Sequence, residues 1–202
     1  MALFTKERLI NRVQNEMRKG GEIHLSANAK AQKFINESVN EQRLFSTKEY
    51  DIFLSHSSDD ARLVAGLKLE LQDLGFSVYV DWIEDPELNR ANVTKENAQV
   101  LRTRMNQCST LLYAFSKNAS QSTWMPWELG YFDGIKGKVA VVPISESTSH
   151  TFDGNEYLKL YPYVDFDTMK TINTPHIWIN ESADTYVEFK EWRNGTKPYK
   201  RS

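Results

Sequence analysis

The stretch "YDIFLSHSSDDARLVAGLKLELQDLGFSVYVDW", residues 50–82, changes its apolar pattern twice. Residues 50–55 form a short apolar run that ends in a small polar residue, which is typical of a buried strand. Residues 60–75 place leucines at helical spacing and end in glycine, a common helix terminator. The β-branched and aromatic run 76–82 predicts a second strand. Strand, helix and strand in this order predict a βαβ unit.

The same alternation continues along the chain. A polar loop precedes a helix through Val100, Leu101 and Met105, and residues 109–116 predict a third strand. A third helix and a fourth strand follow, over residues 121–134 and 138–144; in the tail, 157–166 and 176–180 favour strands and 182–192 a closing helix. Strands that are apolar almost throughout and alternate with helices predict an α/β fold, with a parallel sheet covered on both faces.

Ligands of such sheets bind in the crevice beyond the carboxyl ends of the strands. The predicted strand ends are Ser55-His56-Ser57, Asp81-Trp82, Ser116-Lys117 and Ile144-Ser145. Side chains from these four ends are therefore expected to form the binding site.

Residues 1–46 are predicted to be an N-terminal helical extension of a domain that spans residues 47–202. One helix carries Leu9, Ile10, Val13 and Met17 on one face, and a second is predicted over residues 26–42. The two helices could form a hairpin that docks on the domain or on a sister subunit. A membrane-surface helix is disfavoured because the charges of the segment are mixed in sign.

Composition and charge limit the partners and the cellular compartment that are expected for this protein. The 202 residues carry a net charge of −2, which gives no reason to expect nucleic acid or an acidic membrane as a partner. No apolar run reaches the roughly 18 residues of a membrane span, and the first residues lack a signal-peptide core, so a cytoplasmic protein is expected. The single cysteine, Cys108, cannot form an internal disulfide and is predicted to be a small core residue.

Several chemistries are disfavoured by missing motifs. The chain has no phosphate-binding P-loop, and no glycine-rich turn follows its first strand. The four histidines are never paired at metal-ligand spacing, so no metal is expected. A phospho-acceptor receiver domain needs an acidic residue at the end of the third strand, where this chain has "AFS", residues 114–116.

Three segments in series resemble one family: "YDIFLSHSSDD" at the first strand, "LGFSVYVDW" at the second and "SKNASQSTWMPWELG" after the third. They resemble the TIR (Toll/interleukin-1 receptor) domain over roughly residues 49–145, and the stand-alone arrangement is similar to the bacterial, Thoeris-like type. The resemblance implies a flavodoxin-like fold with a parallel five-stranded sheet. It also implies an NAD⁺-consuming enzyme of antiphage defence.

The resemblance further implies roles for particular residues. Glu128 corresponds to the catalytic glutamate, and Trp124 completes a W-x-x-x-E spacing with it. Residues 55–57, namely Ser55, His56 and Ser57, correspond to the lining of the nucleotide pocket. The loop over residues 83–95 resembles the BB loop, which gates the pocket and mediates self-association. Pro126 and the N-terminal helices depart from the family pattern.

The reaction itself explains why one carboxylate could suffice. Hydrolysis of ordinary glycosides uses two carboxylates because the leaving oxygen must be protonated. Nicotinamide leaves NAD⁺ as a neutral molecule, so Glu128 alone could stabilise the oxocarbenium-like ribose, with NAD⁺ as the substrate and no further cofactor. Asp81 could orient the loop or the ribose, and the indoles of Trp82 and Trp124 could stack on a base.

Three functions remain open at this stage. An enzyme would give ADP-ribose if water is the acceptor, or a cyclic isomer if an internal hydroxyl or ring nitrogen attacks, and a downstream effector could sense that product. A non-catalytic interaction module would assemble partners through the BB loop. A nucleoside N-glycosidase would act on free nucleosides.

Overall fold

The computed structural model describes residues 2–19, 48–85, 88, 93–149, 152, 156–169 and 174–201. The strands are β1 (Phe4–Thr5), β2 (Tyr50–Ser55), β3 (Val78–Tyr79), β4 (Cys108–Phe115), β5 (Val139–Ser145), β6 (Tyr163–Met169), β7 (Thr174–Asn180), β8 (Thr185–Glu188) and β9 (Tyr199–Lys200). The helices are α1 (Lys6–Lys19), α2 (Ala61–Asp73), α3 (Asp81–Glu84), α4 (Lys95–Asn106), α5 (Trp124–Lys136) and α6 (Phe189–Arg193).

One mixed sheet organises the described residues. Its order is β3-β2-β4-β5-β6-β7-β8-β9, and the five strands from β3 to β6 are parallel. This is the flavodoxin-like order 2-1-3-4-5 when strands are counted from β2. The predicted five-stranded parallel sheet is thus confirmed. Antiparallel strands β7 to β9 extend it at one edge.

The two faces of the sheet bury separate apolar layers. Ile52 and Leu54 pack with residues of α1, α2 and α6, whereas Phe53 and Tyr113 pack with residues of α4 and α5. Side chains alternate between faces along a strand, so Ser55 lies on the same face as Phe53, which is the face covered by α5. This alternation determines which helix the end of β2 meets.

The first residues of the chain belong to the same sheet and core. Strand β1 pairs in parallel with β5, Phe4 opposite Ile144, and the predicted first helix is confirmed as α1. Helix α1 crosses α2 so closely that a Cβ on Gly66 would lie 2.3 Å from the carbonyl oxygen of Leu9. The helix predicted over residues 26–42 lies outside the described residues, and the boundary between residues 46 and 47 stays a prediction.

Two ion pairs hold α1 along α2. The guanidinium of Arg8 donates to both carboxylate oxygens of Glu70, at 3.0 and 2.7 Å. Arg12 makes the same paired contact with Asp73, at 2.7 and 3.0 Å. Bidentate pairs of this kind are the stronger class of surface ion pair, so they fix the register between the two helices.

Three predicted elements differ from the structure. The strand predicted over residues 76–82 is shorter, because Asp81 starts helix α3 and its carboxylate accepts the Trp82 N–H at 2.7 Å. The segment 157–166 begins as a 3₁₀ turn, residues 156–160, before β6. The helix predicted over 182–192 is wrong: Val187 is fully buried and pairs with Ile179 of β7, so sheet pairing overrides helical preference and leaves only the short α6.

None of the helices in the described segments is long and apolar enough to cross a lipid bilayer.

Candidate active site

Glu128 and Ser55 form a buried pair between helix α5 and the end of strand β2. The Ser55 hydroxyl donates to Oε2 of Glu128 at 2.6 Å, and neither residue is exposed to solvent. A buried carboxylate is costly unless it is hydrogen-bonded, and such groups are enriched at functional sites. The end of β2, which was predicted to line the binding site, therefore lies beside Glu128.

The start of α5 explains the position of Glu128. The helix begins at Trp124, and the hydroxyl of Ser122 accepts the Met125 N–H at 3.3 Å. Pro126 lies in the first turn, where a missing N–H costs nothing. Glu128 follows just after that turn, on the sheet side, instead of lying at the exposed helix end.

His56, Asp81 and Trp82 meet where β2 and β3 end. The indole N–H of Trp82 donates to Nε2 of His56 at 2.5 Å, and Nδ1 of His56 lies 2.8 Å from the Leu54 carbonyl oxygen. These two contacts indicate the neutral tautomer with its hydrogen on Nδ1. A carboxylate oxygen of Asp81 lies 3.4 Å from the same Nε2.

The cluster of His56, Asp81 and Trp82 holds a partly buried indole where β2 and β3 end. His56 and Asp81 are almost fully buried, whereas Trp82 is only partly buried. The partly open ring is therefore the member of the cluster that a ligand can reach. The predicted convergence of the first two strand ends is present.

Ser57 and Trp124 occupy different surroundings. Ser57 is nearly buried, and its hydroxyl accepts the Asp59 N–H at 3.4 Å at the start of a 3₁₀ turn. Trp124 lies one helical turn before Glu128, buried in the apolar layer, with its ring edge-on to Trp127 at 5.5 Å. Ser57 therefore shapes the turn, and Trp124 packs beside the glutamate.

Asp60 ties the turn after β2 to the loop after β4. Its carboxylate accepts the Ser116 hydroxyl in a short hydrogen bond and the Asn118 amide at 2.8 Å. Asp60 occupies the N-cap position of α2 but makes no side-chain hydrogen bond to that helix. These hydrogen bonds fix the segments that follow β2 and β4 relative to each other.

The base of the loop over residues 83–95 is anchored by the buried carboxylate of Asp85. Asp85 accepts two hydrogen bonds from Arg104, at 2.8 and 2.5 Å, and one from the Tyr79 hydroxyl at 2.7 Å. Burial, followed by the charge of Asp85, raises the pKa of Tyr79 well above its usual value. Tyr79 therefore remains a donor, and the loop leaves the sheet from a fixed point.

Sequence patterns did not reveal Tyr113 as a neighbour of the site. Tyr113 lies opposite Ser55 in the pairing of β2 with β4. Burial is the main cause that raises its pKa, and contacts with Tyr157 and the charge of Glu128 raise it further. In the sequence it is one more apolar position of a strand; only the register of the sheet could have pointed to it.

Two further predictions concern reactive groups. Cys108 is buried in the apolar layer, and burial raises the pKa of its thiol, which confirms a core residue instead of a nucleophile. Within the described ranges, no three His, Cys, Asp or Glu side chains are grouped so that they could hold a metal ion.

Comparisons with known proteins place this geometry in context. The sequence profile of the TIR domain matches residues 52–175. A probable 3′ cyclic ADP-D-ribose synthase, ThsB′ of Bacillus cereus (strain MSX-D12), is 46% identical over 193 residues, which cover 95% of this chain and 98% of that protein. A putative cyclic ADP-D-ribose synthase, TIR2 of Cytobacillus dafuensis, is 32% identical over 85 residues, 42% of this chain and 22% of that protein.

Proposed function

The chain belongs to the TIR domain family, and from this membership and the site we propose that it cleaves NAD⁺ at the nicotinamide–ribose bond and releases a cyclic ADP-ribose. The observation that carries the proposal is the fully buried Glu128, held by Ser55 at the carboxyl end of β2. The names of both relatives describe synthesis of cyclic ADP-ribose, and ThsB′ matches over nearly its whole length.

In this proposal Glu128 is the catalytic carboxylate. Nicotinamide departs as a neutral molecule with the electron pair of the broken bond, so the leaving group needs no general acid. The ribose becomes electron-deficient at C1′, and a fixed negative charge in a water-poor site stabilises that state more than a solvated charge would. Ser55 fixes the carboxylate through its hydrogen bond to Oε2.

The neighbouring residues are proposed to bind the rest of NAD⁺. The partly open indole of Trp82 offers a flat surface for a base, and His56 holds its N–H in place. Asp81 shapes the start of α3, and Ser57 shapes the 3₁₀ turn after β2. Trp124 lies one helical turn before Glu128 on α5. No other cofactor enters this reaction, since NAD⁺ is the substrate.

The direct test is incubation of the purified protein with NAD⁺, dilute and under macromolecular crowding, followed by chromatographic separation of the products. We expect nicotinamide and a cyclic ADP-ribose in equal amounts. Nicotinamide riboside supplied alone should remain intact, which separates this function from a nucleoside N-glycosidase. An absence of nicotinamide under every condition would contradict the proposal and favour the interaction module.

Ser55→Ala should slow nicotinamide release without stopping it. The substitution removes a hydrogen bond to a charged group, and such bonds contribute about 1.5–3 kcal/mol, so we expect a loss of at least about tenfold in kcat. Ser109→Ala, an exposed position of β4, is the matched control and should match the unmodified protein. Equal rates for the two variants would show that Ser55 does not orient Glu128.

Assembly and biological role complete the proposal. We propose that the protein self-associates through the loop over residues 83–95, whose base is anchored by Asp85 and Arg104. The product would then act on a separate effector in antiphage defence in the cytoplasm. Light scattering with and without NAD⁺ tests the first point, and a mass that never exceeds the monomer would refute it.

A further inference from the structure

The hydrogen bonds of His56 match the neutral form of its ring. Nδ1 donates its hydrogen to the Leu54 carbonyl oxygen at 2.8 Å, and Nε2 accepts the indole N–H of Trp82 at 2.5 Å. One ring nitrogen is therefore a donor and the other an acceptor, as in neutral imidazole. An imidazolium carries a hydrogen on each nitrogen, so it could not accept the indole N–H.

A carboxylate lies beside the same ring nitrogen. Oδ1 of Asp81 is 3.4 Å from Nε2 of His56, and it accepts the backbone N–H of Trp82 at 2.7 Å. A carboxylate oxygen can accept two hydrogen bonds, whereas an indole N–H can only donate. Nε2 of His56 thus has one neighbour suited to each charge state of the ring: the indole for the neutral ring and Asp81 for the protonated ring.

Burial prevents the two arrangements from coexisting at low cost. His56 is 1% exposed and Asp81 is 2% exposed. A buried imidazolium needs an anionic partner, and two N–H groups that face each other leave a buried donor unsatisfied. Trp82 is the partly buried member of the cluster, and its ring lies edge-on to His56 with centroids 6.0 Å apart. The indole is therefore the group that can move when the His56 ring gains a proton.

Asp81 is the charged group whose contact with the His56 ring is established. The other acids that are buried or half-buried on the adjoining segments have partners of their own. These pairs are Asp60 with Ser116, Glu84 with Lys68 and Glu128 with Ser55. Of the remaining charged groups nearby in the chain, Asp59 and Lys117 are exposed, and Arg62 is half-buried in the first turn of α2.

We propose that His56 is an acid-sensitive support of Trp82: a proton from solvent at Nε2 breaks the hydrogen bond to the indole, pairs the ring with Asp81 and releases the Trp82 side chain. The contact acts at the start of α3, the helix from which the loop over residues 83–95 leaves the sheet. The inference deepens the proposed function and rests on it in one respect, because release of the indole weakens NAD⁺ binding only if Trp82 stacks on a base of NAD⁺.

The test follows the indole N–H signal of Trp82 in proton–nitrogen NMR spectra from about pH 8 to about pH 5, the range in which histidine ordinarily titrates. Trp82→Phe assigns the signal. We expect a one-proton curve with the same midpoint as the ring signals of His56. In Asp81→Asn, which keeps an acceptor for the Trp82 backbone N–H, the midpoint should fall by at least about one pH unit, because the imidazolium loses its carboxylate partner.

His56→Gln keeps an acceptor for the indole N–H but cannot gain a proton, so the Trp82 signal should become constant. His176→Gln is the matched control, because His176 also lies beside a carboxylate, Glu188 at 3.4 Å, and beside the ring of Trp178. It should leave the Trp82 titration unchanged. A constant Trp82 signal in the unmodified protein, or a titration that survives in His56→Gln, would overturn the inference.

A parallel measurement separates the inference from the proposed function. KM for NAD⁺ should rise about 2- to 10-fold below the midpoint, which corresponds to the loss of one aromatic contact, while kcat changes less. A titrating indole with a constant KM would support the role of His56 and remove Trp82 from the NAD⁺ site. An absence of nicotinamide release at every pH would overturn the proposed function, and the NMR result would still decide the inference.

Discussion

Glu128→Gln should reduce nicotinamide release from NAD⁺ by about 100- to 1,000-fold, the range seen when one preorganised electrostatic group is removed from a catalytic site. The substitution keeps the shape of the side chain, and an amide oxygen can still accept the Ser55 hydroxyl. What disappears is the negative charge that faces the electron-deficient ribose. The measurement is the initial rate of nicotinamide formation at saturating NAD⁺, under crowding.

The same variant should be at least as stable as the unmodified protein. Burial of a neutral amide costs less than burial of a carboxylate, and the residue is fully buried. We therefore expect an unchanged or higher Tm by calorimetry. Glu191→Gln, at an exposed position of α6, controls for the loss of one acid and should keep full activity. A variant at residue 128 that keeps its rate would disprove the catalytic assignment, and a lower Tm would indicate a structural role.

Gly66→Ala should lower the Tm by about 3–10 °C, because the added methyl group overpacks the crossing of α1 and α2. The new Cβ would lie 2.3 Å from the Leu9 carbonyl oxygen, a backbone atom that cannot rotate away. Either α1 shifts or the contact is lost, and Leu9 and Val13 then lose part of their burial. Hydrogen exchange should show reduced protection over residues 6–19.

Gly134→Ala is the matched control for this prediction. Gly134 lies in helix α5, and an added Cβ would meet nothing within 4 Å. Alanine is the better helix former by about 1 kcal/mol, so this variant should hold or raise the Tm. Identical melting of the two variants would mean that α1 is not held tightly against α2 in solution.

The parallel core could be predicted from the sequence because its strands are apolar throughout and its helices repeat regularly. The run 50–55 matches β2, and 60–75 contains α2. The elements that were predicted less well are those whose secondary structure depends on tertiary contacts. Asp81 ends β3 early by starting a helix, and Val187 joins an antiparallel edge that local preference does not reveal.

In the candidate site, too, some features could be predicted from the sequence and others could not. Ser55, His56, Asp81 and Trp82 were expected in the site because strand ends converge in this fold, and Glu128 because of the family resemblance. The structure joins Ser55 to Glu128, and His56 to Asp81 and Trp82. The partners of Asp60, Asp85 and Tyr113 were not foreseen, since most of these contacts join residues that are distant in sequence. Such pairings depend on sheet register and helix docking, which periodicity does not encode.

The pairing of β1 with β5 has a consequence for synthesis on the ribosome. Ala2 bridges to Phe166 and Phe4 pairs opposite Ile144, so these residues are translated long before their partners in the sheet. Contacts of such long sequence separation slow folding. During that interval the apolar side chain of Phe4 lacks its native contacts, and a nascent chain stalled before β6 would expose it to chaperones or to aggregation.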